Sequence, residues 1–131
     1  MAITYQIDPA AKLVRTQVQG HVSLEDMLSH AHVLKEDPAF RPEYSNLIDL
    51  SRFTGTDLHA DAMKAFAHGL QGEIFARSSK RAVVAPSDSA FDLSRQFQSM
   101  RPNQENFQVF HSTDEAMHWL QAAPNKAMRF E

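Results

Sequence analysis

The chain has 131 residues, 43% of them hydrophobic and 22% charged, with a formal net charge of −3 at pH 7. That length and apolar content specify one domain, residues 1–131, able to bury a core without covalent staples. The absence of cysteine excludes disulfides, thiolate zinc sites and thiol nucleophiles, and no basic run exceeds the group Arg77, Lys80 and Arg81, which disfavours nucleic acid as a partner.

The opening MAITYQID lacks the basic start and apolar core of a signal peptide. No apolar run approaches the roughly 20 residues a membrane span needs, so the expected location is the cytoplasm. Ile3, Tyr5 and Ile7 alternate with polar residues, and Val14, Thr16 and Val18 repeat the pattern after Asp8-Pro9; this predicts a β-hairpin. Gly20 is expected to close its second strand. Ser23 and Asp26 form a partial capping box for a helix with Leu24, Met27, Leu28, Ala31 and Leu34 on its inner side, ended by Asp37-Pro38.

Leu47, Ile48 and Leu50 form a central strand interrupted by Asp49, followed by an expected turn over residues 51–56 that contains Gly55. Thr56 or Asp57 is placed to cap the next helix, whose stripe is Ala62, Met63, Phe66, Leu70 and Ile74, with His59 pointing along it. Residues 81–86 read as a short buried strand. Ser87, Asp88 and Ser89 offer caps for a helix with Ala90, Leu93, Phe97 and Met100 on one face. Phe107 and Val109 mark the last strand, and Ser112 with Glu115 predicts a full capping box for a closing helix that turns Ala116, Trp119 and Leu120 inward. From about residue 123 the periodicity ends in a loose tail.

The order ββαβαβαβα predicts an α/β fold whose last three βα units form a parallel core with right-handed crossovers. In such sheets ligands lie beyond the carboxyl ends of the strands. The residues brought there are Asp49, Ser51, Thr54, Thr56, Asp57, His59, Ser87 and Ser89, where backbone N–H groups and a helix dipole favour an anion. Each has a plainer reading: Asp57, Ser87 and Ser89 as helix caps, and Asp49 as a fastener of its loop through Ser51 and Thr54. His59, between Asp57 and Asp61, is a candidate base with no nucleophile beside it. His30 and His32, two apart on a helix, cannot share a metal. Phe40, Phe53, Phe75 and Phe91 have no assigned inner face and are available to line a groove for an apolar ligand or a partner chain.

The hairpin, IDLSRF before one helix, RAVVAP before another and FQVFHSTDEAMHWL at the end together resemble the SpoIIAA-like proteins, relatives of the STAS domains of anti-sigma factor antagonists. The resemblance runs from about residue 3 to 120 and is strongest at Asp49-Leu50-Ser51 and at Asp114, Glu115, Ala116, Trp119 and Leu120. It implies a STAS-like mixed sheet of about five strands, a hairpin plus three βα units, with about four packed helices. It also implies a regulatory or interaction module. In the antagonist branch an aspartate at the helix start precedes a phosphorylated hydroxyl. Asp57 stands where that aspartate falls, but Leu58 and His59 occupy the hydroxyl positions, so the switch does not carry over to this chain; Ser51, Thr54 and Thr56 do not match the position.

The leading expectation is therefore a non-enzymatic module that binds a protein partner, a second copy of the chain included. No catalytic residue, metal or cofactor is assigned. The alternative is a carrier or sensor of a small apolar or anionic ligand held by the carboxyl-end residues named above. A hydrolase using His59 and Asp49 with water ranks third, for want of an oxyanion stabiliser beyond a helix end.

Overall fold

The computed structural model describes residues 2–59, 61–64, 74–76, 78–101 and 105–122. Five strands, β1 (Ile3–Asp8), β2 (Leu13–Val22), β3 (Ser45–Thr56), β4 (Arg81–Val84) and β5 (Phe107–Phe110), form one sheet in chain order, β1-β2-β3-β4-β5. The first pair is antiparallel and the other three are parallel. This is the mixed five-stranded α/β sheet expected from the sequence. Helices α1 (Leu24–Glu36), α2 (Asp88–Met100) and α3 (Thr113–Gln121) are described in full, and residues 61–64 are helical. Most of the stripe expected after His59, including Phe66 and Leu70, lies outside the described residues, as does the expected tail from 123.

Register assigns each strand residue a face. Val14, Asn46, Arg81 and Phe107 form one row across the sheet, and Thr16, Ile48, Val83 and Val109 the next row on the same side. Parallel strands laid down in chain order with right-handed crossovers place their connecting helices on one side. Accordingly α1 packs Ala31 and Leu34 with Val14, Phe40, Ile74 and Phe75, and α2 packs Ala90 with Val83, Ala85 and Phe107. The opposite side carries Leu13, Leu47, Ala82 and Val84 and is covered by α3 through Ala116, with Met117, Trp119 and Leu120 around it.

The helix starts differ from expectation in which box is complete. At α1, Ser23 Oγ accepts the Asp26 N–H at 3.1 Å while the Asp26 carboxylate accepts the Ser23 N–H at 3.0 Å, a reciprocal box. At α3, Ser112 Oγ accepts the Glu115 N–H, but the Glu115 carboxylate takes the Ser112 hydroxyl, not its backbone. Ser87 caps α2 as expected, accepting the Ala90 N–H at 3.2 Å. On α1, Leu24 and Leu28 are 37% and 40% exposed, so they do not belong to the inner face; the buried side runs through Ala31 and Leu34.

Two strands are longer than the sequence suggests. β2 continues past Gly20 to Val22, and β3 continues through residues 51–56, where a turn was expected. The two extensions pair with each other, Gln19 to Val22 against Arg52 to Thr56, across register shifts. Gly20 absorbs one irregularity with φ +68°, a left-handed conformation that glycine adopts without steric cost.

Candidate functional site

The β3 extension moves the helix start. Thr56 Oγ1 donates to the Val22 carbonyl at 2.6 Å and accepts the Leu58 N–H at 3.2 Å. It thereby ties the ends of β2 and β3 together and turns the chain locally, as serine and threonine hydroxyls do. Asp57 is exposed and pairs with His21 Nε2 at 3.2 Å. His59 is also exposed, and its carbonyl accepts the Met63 N–H at 3.0 Å. Its side chain therefore does not point along the buried stripe; Met63 occupies that direction and is buried.

The eight candidate residues do not converge on one point. Asp49 shares a row with Gln17, Val84 and Phe110 on the α3 side of the sheet, and its carboxylate accepts the Ser51 N–H at 2.9 Å; the residues it was expected to fasten as a loop are part of β3. Ser51 and Thr54 are exposed, Ser87 is occupied as a cap, and Ser89 is exposed. Of the eight, Thr56 alone lines the apolar cavity described next. Among the described residues no group of three or more His, Asp or Glu side chains is placed to hold a metal.

That cavity, about 170 Å³, lies between the helix side of the sheet and helices α1 and α2. Its walls are mainly aliphatic and aromatic, with Val18, Ile48, Val83, Leu93 and Phe97 among them, and its polar lining is Thr16, His30, Asn46, Thr56 and Ser94. Phe53 reaches it; of the other unassigned aromatics, Phe40 and Phe75 are core residues in edge-to-face contact at 5.3 Å, and Phe91 stacks on the exposed His111 at 4.0 Å. Asn46 is 4% exposed, and its Nδ2 donates to the Val14 carbonyl and to Thr16 Oγ1, both at 3.0 Å. His30 meets the Tyr5 ring edge-on at 5.6 Å, and burial holds its pKa below the ordinary histidine value. The Tyr5 hydroxyl donates to the Asp37 carboxylate at 2.7 Å; burial first, and that bond second, push its pKa up to about 12.

Sequence reasoning missed Asn46, His30 and the two buried arginines. Arg81, counted in the basic group with Arg77 and Lys80 and read as the start of a short buried strand, is buried in β4, with its guanidinium 5.1 Å from the Phe75 ring centre, while that of Arg101 stands 4.9 Å from the Phe107 ring centre. Burial, then the charge of Arg101, lowers the Arg81 pKa to about 10. The signal for Arg81 was its phase with Val83, two residues on. The signal for His30 was its helical spacing from Met27 and Leu34. Lys80, by contrast, caps α3 from outside, donating to the Trp119 and Ala122 carbonyls at 3.0 and 2.9 Å.

The SpoIIAA-like family model matches residues 13–121, which spans β2 through α3. The chain belongs to the SpoIIAA-like family. Solved structures with a similar fold include an uncharacterised protein of Shewanella loihica PV-4 with a SpoIIAA-like fold, 21% identical over 91% of this chain and 94% of that one, with a TM-score of 0.61. The anti-sigma factor antagonist SpoIIAA in its unphosphorylated form is 12% identical over 93% of this chain and 100% of its own, also with a TM-score of 0.61. An anti-sigma factor antagonist of Mycobacterium paratuberculosis is 14% identical over 92% and 95%, with a TM-score of 0.51. These likenesses establish the SpoIIAA-like fold. No curated protein matches the sequence. No helix among the described residues is long and apolar enough to cross a membrane.

Proposed function

We propose that this SpoIIAA-like chain is a non-enzymatic interaction module of the cytoplasm that binds a protein partner through the carboxyl end of its sheet. The partner is another protein or a second copy of the chain, and binding proceeds with no phosphoserine switch at positions 58 and 59. The observation that supports this reading is the rim around the paired ends of β2 and β3. There the His21–Asp57 pair links the end of β2 to the residue after β3, exposed His59 follows two residues on, α1 begins two residues after β2, and Leu24 and Leu28 stand 37% and 40% exposed on that helix. Exposed apolar side chains set among charges are the composition of a protein interface. Family membership supports the same role, since the related SpoIIAA is an anti-sigma factor antagonist.

The test places a photo-crosslinking residue at position 24 or 59 and, as a control, at position 6 on β1. The expected result is a discrete protein adduct from 24 and 59, absent from 6 and lost on Leu28→Asp. Equal labelling from all three positions would count against the reading, as would substrate turnover that disappears in His59→Ala. Native mass spectrometry distinguishes a second copy from another protein.

A further inference from the structure

The cavity beneath the sheet has no place in the partner reading, and the following assignment goes beyond that reading. Its volume of about 170 Å³ compares with apolar cavities of about 150 Å³ that stay dry and take up benzene. A single six-membered ring with one or two substituents matches that volume. Among the described residues the lining contains no Asp, Glu, Lys or Arg, and its titratable side chain is His30, whose pKa burial lowers, so a charged occupant meets a desolvation cost with no fixed counter-charge to offset it. The occupant is therefore uncharged.

It is not wholly apolar, because polar side chains face the cavity, Asn46, Thr16 and His30 among them. Both N–H bonds of the Asn46 amide are used, one on the Val14 carbonyl and one on Thr16 Oγ1. Among the described residues no donor reaches Asn46 Oδ1, although the residue is more than nine-tenths buried and lines the cavity. Thr16 Oγ1, already an acceptor for Asn46, keeps its own proton to donate. Ser94, across the cavity, spends its hydroxyl proton on the Ala90 carbonyl at 2.8 Å. The polar corner thus presents one acceptor and one donor side by side, the complement of a hydroxyl group.

We propose that the cavity between the sheet and helices α1 and α2 binds a small uncharged ring compound bearing one hydroxyl, of the phenol class. The hydroxyl donates to Asn46 Oδ1 and accepts from Thr16, and the ring lies against Ile48, Val83 and Phe97.

The full chain is titrated with 4-methylphenol, toluene and octanoate by calorimetry, and 13C methyl spectra follow Ile48 and Val83. The expected result is saturable 1:1 binding of 4-methylphenol at least ten-fold tighter than toluene, with shifts at both methyl groups and no binding of octanoate. Asn46→Ala should abolish the ten-fold preference; if that variant does not fold, Thr16→Val reports the same preference. Absence of saturable 4-methylphenol binding, equal affinity for toluene, unchanged Ile48 and Val83 methyls, or binding of octanoate alone would each overturn the assignment. None of these outcomes depends on whether a protein partner docks at the rim.

Discussion

Replacing Asn46 by valine tests the polar corner of the core without disturbing its shape greatly. Valine is close to asparagine in size and suits a central strand, so the variant removes the amide while keeping most of the packing. Two neutral hydrogen bonds are lost, to the Val14 carbonyl and Thr16 Oγ1, each contributing about 0.5–1.5 kcal/mol net. Thr16, itself buried, is left with an unsatisfied oxygen, at about 1–3 kcal/mol. Burial of the added methyl surface returns about 1 kcal/mol. The expected net destabilisation is about 3 kcal/mol, read as a lower urea midpoint at an unchanged slope. Thr16→Val alone leaves the amide without one acceptor, and Asn46→Val with Thr16→Val removes both ends of the bond. The double-mutant cycle should therefore return a coupling of about 1 kcal/mol. A coupling near zero, or an Asn46→Val protein more stable than the parent, would refute the reasoning, because it would mean that the buried amide contributes nothing to the sheet it bridges.

Leu34, 2% exposed at the centre of the α1 cluster, should cost about 3–5 kcal/mol on truncation to alanine, measured by the same titration. Ser23→Ala should destabilise by about 1–2 kcal/mol and Ser112→Ala by less, since only the first breaks a reciprocal box; equal losses would contradict this. His30 has a lowered pKa in the folded state, so the unfolded chain binds more protons below the ordinary value of 6.5. Its contribution to stability is complete above that pH and is lost as pH falls through 6.5 toward the folded value. His30→Phe should flatten the thermal midpoint over that interval, and a profile identical to the parent would exclude His30 as the cause. Tyr5, raised from 10.0 to about 12, acts in the opposite sense: stability should decline as pH rises from 10 toward 12, a decline absent in Tyr5→Phe.

Most of the fold was legible because period-two alternation in β1 and β2 and the apolar runs of β3 and β4 are local signals. The β3 extension was not, because Thr54, Gly55 and Thr56 have turn composition, and only pairing with the equally disguised end of β2 makes them a strand. His59, expected along the buried stripe, is exposed, and the chain reaches it from the end of a strand that runs to Thr56 and not from a turn. The rings beside the buried guanidiniums of Arg81 and Arg101, Phe75 and Phe107, come from other elements, so those contacts were not legible in the local sequence. The cavity is likewise a property of three packed elements and leaves no trace in any one segment.

The chain-order sheet has a consequence for how the molecule assembles. Each strand pairs with the one just before it, so during synthesis every new strand finds its template already present, and no strand must wait for a later one to be inserted beside it. The loops to be closed stay short, which favours rapid folding. The exception is the far side of β3 and β4, where, among the described residues, Leu47, Ala82 and Val84 are covered by α3. That surface stays open until α3 has left the ribosome, so an apolar face remains exposed after the strands that form it have paired.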